Sequence, residues 1–359
     1  MNATQQVNTL GQSLWLDNLS RSLIRDGTLA TLIAEDNISG VTSNPSIFQK
    51  ALAESPYYAD DLARLKTSEP DAERRYEALV IPDIQAACDL LLPAFEASGG
   101  NDGYVSLEVA PKWAYDTART IDEARRLSAA VSRRNLLVKV PGTPEGVSAF
   151  EALTALGINV NVTLLFSVAQ TEAIFHAYVR GLTARVKTGG DIRASKAVAS
   201  LFLSRVDTLV DTQLAGIGTQ EALSLRGKAA VAMAKVAYQR YLALFHGPAF
   251  AELARLGARP QYLLWASTGV KNPDYHDLHY VEPLIGRETV NTLPDATLSA
   301  LRDHGSPAAQ LTVGVAEADA QLTELARLGI DMDAVGNTLQ DAGAKSFEEA
   351  FQKLLQQTS

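Results

Sequence analysis

Cysteine is almost absent from this 359-residue chain, which contains only Cys88. A single cysteine cannot form an internal disulfide bond, and it cannot supply the several thiolates of a metal cluster. The composition is therefore typical of a protein that works in a reducing compartment.

A secretory signal is also missing. The N-terminal sequence MNATQQVNTLGQSLWLDN has no basic segment followed by an apolar stretch. No apolar run along the chain approaches the length of a membrane span. We therefore expect a cytoplasmic protein without a membrane partner.

The chain has no excess of positive charge. It contains 32 Lys and Arg residues and 41 Asp and Glu residues, which gives a net charge of −9. The basic residues are dispersed among acidic ones. This argues against nucleic acid as a partner, because sequence-independent binding needs a basic face. An anionic substrate would need a local, dedicated basic site.

Glycine-rich phosphate loops are absent as well. No predicted strand is followed by GxGxxG or GxxxxGK[ST]. This absence argues against an open doubly wound sheet, the main alternative to the fold predicted below.

The chain does contain a repeated alternation of short apolar runs with longer helical patterns. Hydrophobic residues make up 47% of the sequence, enough for a sizeable core. The apolar runs, each predicted to be a strand, are residues 13–17, 38–42, 103–110, 135–140, 157–166, 197–204, 261–267 and 288–293. Eight such units predict an α/β protein with a parallel (β/α)8 barrel and extra helices.

Helical patterns occupy most of the intervals between these runs. They cover residues 19–35, 45–65, 116–133, 144–156, 167–187, 222–246 and 273–287. The long intervals after the second and sixth strands predict insertions. Residues 309–359 are also predicted to be helical and to pack over the exterior or the mouth of the barrel. Because no linker or low-complexity segment interrupts the chain, residues 1–359 are expected to form a single domain.

The segment NLLVKVPGTPEG has the apolar pattern of a buried strand that ends at Pro141 and Gly142. Lys139 is a charged residue within this apolar strand and does not fit the pattern. The lysine could lie at the strand end with its stem on apolar surface and its amine in water. Alternatively, it is a desolvated amine, whose lowered pKa would free a nucleophile able to form a Schiff base with a carbonyl substrate.

Further polar residues lie in or at the ends of the first five predicted strands, where the active site of such a barrel is found. With Lys139, the set is Asp17, Asn44, Glu108, Asn161 and Thr163. Asn161 and Thr163 are two residues apart and so point to the same side of their strand. An unpaired carboxylate in an apolar strand is costly, so Glu108 is either paired or functional. We expect these side chains to converge in one cavity.

Two of these residues also have a purely structural interpretation. Asp17 could cap a helix. In the segment TSNP, Ser43 or Asn44 could be the N-cap residue, with Pro45 as the first residue of a helix.

The motifs resemble those of the transaldolase family of Schiff-base enzymes. The segments that carry the resemblance are LWLDN, GVTSNPSIF, SLEVAP and LLVKVPGTPEGVSAFEALTALGINVNVTLLFSVAQ. The later segments SRVDTLVD, WASTGVKNPDYHDLHYVEPLIG and TVNTLPDATL are similar to the longer bacterial members. The resemblance extends over about residues 13–340.

The resemblance implies a class I aldolase barrel in which Lys139 attacks the ketone of a donor such as sedoheptulose 7-phosphate or fructose 6-phosphate. Glu108 and Thr163 would hold the water that moves protons, and Asp17 would accept the proton whose loss cleaves the carbon–carbon bond. Asn44 and Asn161 would bind the three-carbon dihydroxyacetone unit until an aldose phosphate accepts it. No metal or organic cofactor is implied, because the imine is the electron sink.

The resemblance is weaker at the phosphate site. Where shorter members have SPFVGR, this chain has LSRVDTLVD, in which Ser204 and Arg205 are the plausible equivalents. After the seventh strand, ASTGVKNP offers Ser267 and Lys271 in place of serine and arginine. A lysine binds phosphate as a point charge, without the two-pronged geometry of arginine.

Three other functions remain open from the sequence. A metal-dependent aldolase could use His276 and His279 of HDLH, with His176, His246 or His304 as the remaining partners. A fructose 6-phosphate aldolase would release free dihydroxyacetone, although such relatives generally have glutamine in place of Glu108. A barrel without activity could simply bind sugar phosphates. We expect sugar-phosphate substrates and a monomer or homodimer.

Overall fold

Eight parallel strands close into a barrel in the computed structural model, which describes all 359 residues. The strands are β1 (Gln12–Leu16), β2 (Ile38–Thr42), β3 (Tyr104–Glu108), β4 (Leu136–Pro141), β5 (Val160–Leu165), β6 (Ala197–Phe202), β7 (Tyr262–Ala266) and β8 (Thr289–Leu293). Each strand pairs with the next one along the chain, and β8 pairs with β1. All eight predicted strands are present, so the predicted (β/α)8 barrel is confirmed.

Sixteen α-helices surround or extend this barrel. They are α1 (Ala3–Thr9), α2 (Arg21–Arg25), α3 (Thr28–Asp36), α4 (Pro45–Glu54), α5 (Ala59–Ser68), α6 (Ala72–Ala97), α7 (Thr117–Val131), α8 (Pro144–Leu156), α9 (Val168–Lys187), α10 (Ser204–Ile217), α11 (Gln220–Leu223), α12 (Ala229–Phe245), α13 (Ala251–Arg255), α14 (Asp295–His304), α15 (Val315–Arg327) and α16 (Met332–Thr358). The predicted insertions are α4 to α6 after β2 and α10 to α13 after β6.

Several predicted helices are divided in the structure. Gly27, with a φ of +76°, separates α2 from α3, and Pro56 begins a 3-10 turn between α4 and α5. A left-handed backbone at Gly227 lies between α11 and α12. These breaks occur where the local sequence favours a turn over a continued helix.

The prediction of a helix over residues 273–287 is wrong. This segment forms successive turns and one 3-10 turn, Glu282–Leu284. Its side chains hydrogen-bond to neighbouring helices instead, since the hydroxyls of Tyr275 and Tyr280 donate to carboxylates of α10. Tertiary contacts here override the local helical pattern.

The interior of the barrel is filled with large side chains. Ninety buried hydrophobic residues form one continuous cluster. Trp15 of β1 lies directly against Gly40 of β2, where an added Cβ would approach the indole ring to 2.5 Å. The indole nitrogen of Trp15 donates to Asp102 at 2.8 Å. Glycine at position 40 therefore allows the indole to fit.

The C-terminal helix α16 crosses the mouth of the barrel. Gln340 donates hydrogen bonds of 2.8 and 2.9 Å to the carbonyl oxygens of Gly142 and Leu164, which follow β4 and lie within β5. Gly343 permits the close approach, because a Cβ there would lie 2.9 Å from Leu164. The helix brings the Phe347 ring to 6.0 Å from Nζ of Lys139, so of the two predicted locations of the tail, the exterior and the mouth, α16 occupies the mouth.

Helix α6 was not predicted, and it is the one helix long and apolar enough to cross a membrane by length and composition. The expectation that no segment approaches this length is therefore wrong. A core helix of a soluble protein passes the same test, and α6 packs against β3 and α16. Asp83 of α6 is buried and paired with Arg21 at 2.9 Å.

Candidate active site at the mouth of the barrel

Lys139 lies in the middle of three strands that align the candidate residues side by side. Strand register places Glu108 of β3 opposite Lys139 of β4, and Lys139 opposite Asn161 of β5. The Lys139 side chain is only 6% exposed, and its amine donates a 2.9 Å hydrogen bond to the carbonyl oxygen of Ser43. The structure therefore shows a buried amine, and the interpretation of Lys139 as a strand-end lysine reaching water is wrong.

Glu108 is the carboxylate nearest to this amine. Its Oε2 lies 3.8 Å from Nζ of Lys139 and makes no hydrogen bond within the protein. Burial raises the pKa of Glu108 to about 7, an effect that the charge of Lys139 opposes and that of Asp17 reinforces. The group can thus change its protonation state near neutral pH.

Asp17 follows β1 and is held by a chain of hydroxyl groups. The Thr42 hydroxyl donates to Oδ1 of Asp17 at 2.7 Å, and Thr292 lies 2.7 Å from the same hydroxyl. Because Thr42 uses its single proton for Asp17, Thr292 must donate to Thr42. Burial raises the pKa of Asp17, while the Thr42 hydrogen bond and Lys139 oppose the shift.

The two asparagines are fixed through different contacts. Oδ1 of Asn44 accepts from the backbone N–H of Ile47 and caps α4, as the structural interpretation of TSNP predicted. Asn161 is fully buried, donates to Ser106 at 3.1 Å and accepts from Ser200 at 2.6 Å. The amide nitrogen of Asn44 makes no hydrogen bond in the protein, and one N–H of Asn161 remains available for a ligand.

Thr163 lies two residues beyond Asn161 on β5, opposite Pro141 of β4. Its side chain is 1% exposed and its hydroxyl has no hydrogen-bond partner in the protein. Buried hydroxyl groups without a partner are rare in folded proteins. Together with Glu108, it gives the site two buried polar atoms that can bind water or substrate.

Positive charge lies on the far side of the mouth, at the start of α10. The Arg205 guanidinium stacks near the rings of Phe202 and Phe347, at 5.5 and 5.9 Å, and forms no ion pair or hydrogen bond. Burial lowers its pKa, although arginine stays charged. Nζ of Lys139 lies 6.0 Å from the same Phe347 ring. Phe347 therefore lies close to both cations.

The remaining predicted residues of the phosphate site contribute differently. The hydroxyls of Ser204 and Ser267 lie 2.8 Å apart, so these residues of α10 and the β7–β8 loop are in direct contact. Ser267 has a left-handed backbone with a φ of +55°, a conformation that non-glycine residues rarely adopt outside constrained sites. Lys271 is exposed, and its charge acts to lower the pKa of Asp17.

Two tyrosines anchor the loop that carries Lys271. The Tyr275 hydroxyl donates to Asp211 at 2.5 Å, and the Tyr280 hydroxyl donates to Asp207 at 2.9 Å. Both carboxylates are on one face of α10, four residues apart. We call these four side chains, Asp207, Asp211, Tyr275 and Tyr280, the loop anchor.

The acids of the loop anchor also bind the backbone around the start of α12. Asp207 accepts from the N–H of Ala230, and Asp211 accepts from the N–H of Gly227, both at 2.8 Å. Asp207 is 1% exposed, and burial raises its pKa to about 7. Sequence reasoning missed this role, although the two acids were visible in SRVDTLVD.

The histidines of the alternative metal site do not converge. Nε2 of His279 lies 2.7 Å from the carbonyl oxygen of Gly227, whereas Nδ1 of His276 faces Asp277 at 3.7 Å. Neither histidine forms a hydrogen bond with Lys139 or its neighbours. The two histidines of HDLH therefore do not act together as ligands of one catalytic metal.

A second buried lysine, missed from the sequence, lies at the other end of the barrel. Lys196 precedes β6 and is 2% exposed. Its amine makes no hydrogen bond and lies 3.4 Å from the centre of the Tyr262 ring. Burial lowers the pKa of Lys196 to about 7. Burial alone therefore does not distinguish a catalytic lysine in this protein.

Comparison with known proteins gives a consistent result. Residues 14–358 match the model of a family described as transaldolase/fructose-6-phosphate aldolase. The chain is 74% identical over 357 residues to a transaldolase of Thiobacillus denitrificans, with 99% of both chains covered. It is 50% identical over 355 residues to a transaldolase of Neisseria meningitidis, again covering 99% of both. Identity to transaldolase 1 of Streptomyces coelicolor is 45% over 354 residues, or 98% of this chain and 93% of the relative.

Proposed function

This chain belongs to the transaldolase/fructose-6-phosphate aldolase family, and from that premise we propose that its reaction takes place at the mouth of the barrel with Lys139 as the covalent residue. The family resemblance found in the sequence is confirmed. The protein is an enzyme with transaldolase activity, which transfers a dihydroxyacetone unit from a ketose phosphate to an aldose phosphate through a lysine Schiff base in the pentose phosphate pathway. Release of free dihydroxyacetone and binding without catalysis are not favoured.

The surroundings of the two buried lysines support Lys139, and not Lys196, as the residue that forms the Schiff base. A Schiff base forms and breaks only if nearby groups move protons. Lys139 has Glu108 at 3.8 Å, and its charge also affects the pKa of Asp17. Lys196 faces an aromatic ring and has no hydrogen-bonding partner. In addition, only Lys139 lies at the end of the barrel where active sites of this fold are found.

The reaction begins with attack of the neutral Lys139 amine on the ketone carbon of the donor. The carbinolamine that forms must then lose its hydroxyl group as water. Glu108 supplies the proton for this loss, and its pKa near 7 suits both donation and acceptance. We assign Thr163 to hold the water molecule, because its buried hydroxyl has no other partner.

Asp17 is proposed to cleave the carbon–carbon bond. It removes the proton from the hydroxyl group two carbons from the imine carbon, and the electrons of the broken bond move into the iminium to give an enamine. The hydrogen bond from Thr42 orients the Asp17 carboxylate for this step. An aldose phosphate acceptor then reacts with the enamine by the reverse sequence, so Asp17 returns the proton.

Asn44 and Asn161 are proposed to hold the three-carbon enamine between the two half-reactions. Each has a free amide N–H, and each is oriented by contacts that use its oxygen. Hydrogen bonds from fixed donors reduce the chance that the fragment leaves before an acceptor arrives.

The substrate phosphate is proposed to bind Arg205, with Ser204, Ser267 and Lys271 contributing around it. Arg205 has no protein anion as partner, although even partial burial of an unpaired guanidinium is costly. A phosphate that binds there would supply the missing negative charge. This local site provides the positive charge that a chain of net charge −9 lacks overall.

We further propose that the enzyme acts as a single-domain monomer or homodimer in the cytoplasm, without a nucleic acid or membrane partner. All of the proposed site residues come from one chain, which supports a site that one copy can form. The continuous hydrophobic cluster of 90 residues supports one domain. No metal or organic cofactor is proposed, since the imine serves as the electron sink.

The assignment of Lys139 can be tested by trapping. Incubation with fructose 6-phosphate and borohydride should add a reduced three-carbon unit to the peptide that contains Lys139. Lys196→Arg provides the matched control and should be trapped like the wild type. Labelling of Lys196, or of any other lysine in place of Lys139, would show that the assignment is wrong. A parallel assay should require erythrose 4-phosphate for turnover of fructose 6-phosphate.

A further inference from the structure

Three side chains that commonly bind metal ions converge on the surface of the enzyme, and none of them takes part in the proposed reaction. They are His276 and Asp277 of the β7–β8 loop and His304, the last residue of α14. One donor atom from each lies within 4.8 Å of the others. We propose that His276, Asp277 and His304 form a Zn²⁺ site that joins the loop to α14.

The separations between donor atoms suit a tetrahedral ion. Nε2 of His304 lies 3.0 Å from Oδ1 of Asp277, and Nδ1 of His276 lies 3.7 Å from the same oxygen. With zinc bonds of about 2.0 to 2.1 Å, tetrahedral ligands are about 3.3 Å apart. The two observed distances lie on either side of this value. Nδ1 of His276 accepts a 3.3 Å hydrogen bond from the N–H of Leu278, which zinc would replace. With that bond released, small side-chain rotations would complete three of the four ligand positions, and water would fill the fourth.

A second carboxylate orients His304 for this role. Nδ1 of His304 lies 3.1 Å from Oδ2 of Asp303, while Nε2 faces Asp277. Histidines that bind metals usually donate their second ring N–H to a carboxylate or carbonyl, which fixes the ring and the tautomer. Asp303 therefore provides the outer contact that a zinc-binding histidine requires.

The position of His304 at the end of α14 also favours a cation. The carbonyl groups at a helix C-terminus carry partial negative charge. The backbone of α14 ends at His304, and its C-cap residue is Gly305. The two carboxylates and this helix end place negative potential around the imidazoles of His276 and His304.

The two imidazoles lie next to each other in an edge-to-face arrangement. The rings of His276 and His304 are nearly perpendicular, with an interplanar angle of 88° and centroids 5.7 Å apart. His279, by contrast, contacts the carbonyl oxygen of Gly227 and is outside the group. The zinc would thus be a structural link beside the active site, separate from the Schiff-base chemistry.

Zinc titration of tag-free enzyme, after removal of bound metals with EDTA and of the EDTA itself, tests the proposal. Isothermal titration should give one zinc ion per chain. His276→Ala and His304→Ala should each weaken binding at least tenfold, and Asp303→Asn should weaken it by about 10- to 100-fold. His176→Ala removes another exposed histidine and should leave zinc binding unchanged. Unaltered binding in both His276→Ala and His304→Ala would overturn the site.

Two further measurements distinguish a structural zinc site within one chain from a catalytic metal and from a site shared between two chains. Zinc should raise the Tm of the wild type and not that of His304→Ala, while turnover in EDTA should be the same for both proteins. A stoichiometry of one ion per two chains would mean that ligands come from different copies, which would overturn a site within one chain. Loss of turnover in EDTA that zinc restores would show that the metal is catalytic and would also overturn the proposed structural link.

Discussion

Oε2 of Glu108 and Nζ of Lys139 lie 3.8 Å apart, which is too far for a direct hydrogen bond and close enough for a strong charge interaction. Both side chains are 6% exposed. The separation leaves the carboxyl group free to act on a molecule bound beside the amine. With a pKa of about 7, Glu108 can both give and take a proton under the conditions in which the enzyme works.

Replacing Glu108 by Gln should change how stability depends on pH. In the unfolded chain the carboxyl group ionises near its ordinary pKa of 4.5, whereas in the folded protein it keeps its proton until about pH 7. Between these values the folded state binds more protons, so the free energy of unfolding of the wild type falls as pH rises. The Glu108→Gln variant has no carboxyl group at this position, so its free energy of unfolding does not fall for this reason.

The stability of Glu108→Gln relative to the wild type should therefore rise between pH 5 and pH 8, by an amount on the order of 2 kcal/mol. Urea unfolding at several pH values measures this difference. Glu349→Gln, which removes an exposed carboxylate that forms no ion pair, is the control for the change in net charge. A difference between Glu108→Gln and the wild type that is constant over this range would mean that Glu108 ionises like an ordinary carboxyl group.

Replacing Arg205 by Ala should weaken the use of phosphorylated donors. A hydrogen bond to a charged group contributes about 1.5 to 3 kcal/mol, so kcat/KM for fructose 6-phosphate should fall by about 10- to 150-fold. The activity on unphosphorylated fructose should change little. Lys271→Ala should have a smaller effect of the same kind, because Lys271 is exposed and water screens its charge.

Equal losses on fructose 6-phosphate and fructose would contradict the assignment of Arg205. Such a result would mean that the guanidinium supports the packing of Phe202 and Phe347, which it contacts in the structure. Arg205→Lys separates these effects further, because it keeps the charge and removes the planar guanidinium.

The sequence predicted the barrel because its eight strands are short, apolar and regularly spaced. The same reasoning placed Lys139, Glu108 and Asn161 together, and the strand register confirms that they are neighbours. Each of these residues is polar within a strand that is otherwise buried. That local contrast requires no knowledge of distant parts of the chain.

Contacts between distant segments could not be predicted in this way. The tail was predicted to pack over the exterior or the mouth of the barrel, but Phe347 is more than 200 residues from Lys139 along the chain, and its position beside the lysine could not be read from the local sequence of α16. The prediction of a helix over residues 273–287 failed for the same reason. The hydrogen bonds of Tyr275 and Tyr280 to α10 hold this segment as a loop, and they join residues far apart in the sequence. Lys196 was missed because it lies just before β6, outside the apolar run, and no residue near it in the sequence indicates that its amine is buried.

The loop anchor provides a prediction about substrate recognition. Tyr280→Phe leaves the buried carboxylate of Asp207 without one of its hydrogen bonds, and Tyr275→Phe does the same for Asp211. Each substitution should lower stability by about 1 to 3 kcal/mol. If the anchor positions Lys271, KM for phosphorylated donors should also rise while kcat changes little.

Tyr57→Phe is the matched control for these variants. It removes a tyrosine–aspartate hydrogen bond of 2.6 Å to Asp26 at an exposed position in another part of the chain. Its kinetic constants should equal those of the wild type. If Tyr275→Phe and Tyr280→Phe lower stability and leave KM for phosphorylated donors unchanged, the anchor stabilises the fold without positioning the phosphate site.

The two acids beside Lys139 should be separable by the species that accumulates on the lysine. Proton transfer by a placed side chain accelerates a step by roughly 10²- to 10⁴-fold, so Asp17→Ala should slow bond cleavage by about that factor. Imine formation should remain nearly intact. Borohydride should therefore trap a whole ketose phosphate on Lys139 in this variant. Glu108→Ala should fail earlier, because the carbinolamine loses water inefficiently, and mass spectrometry should find mostly unmodified enzyme. If both variants trap the three-carbon unit at the wild-type rate, neither acid has its proposed role, and of the mechanism only the lysine assignment would remain.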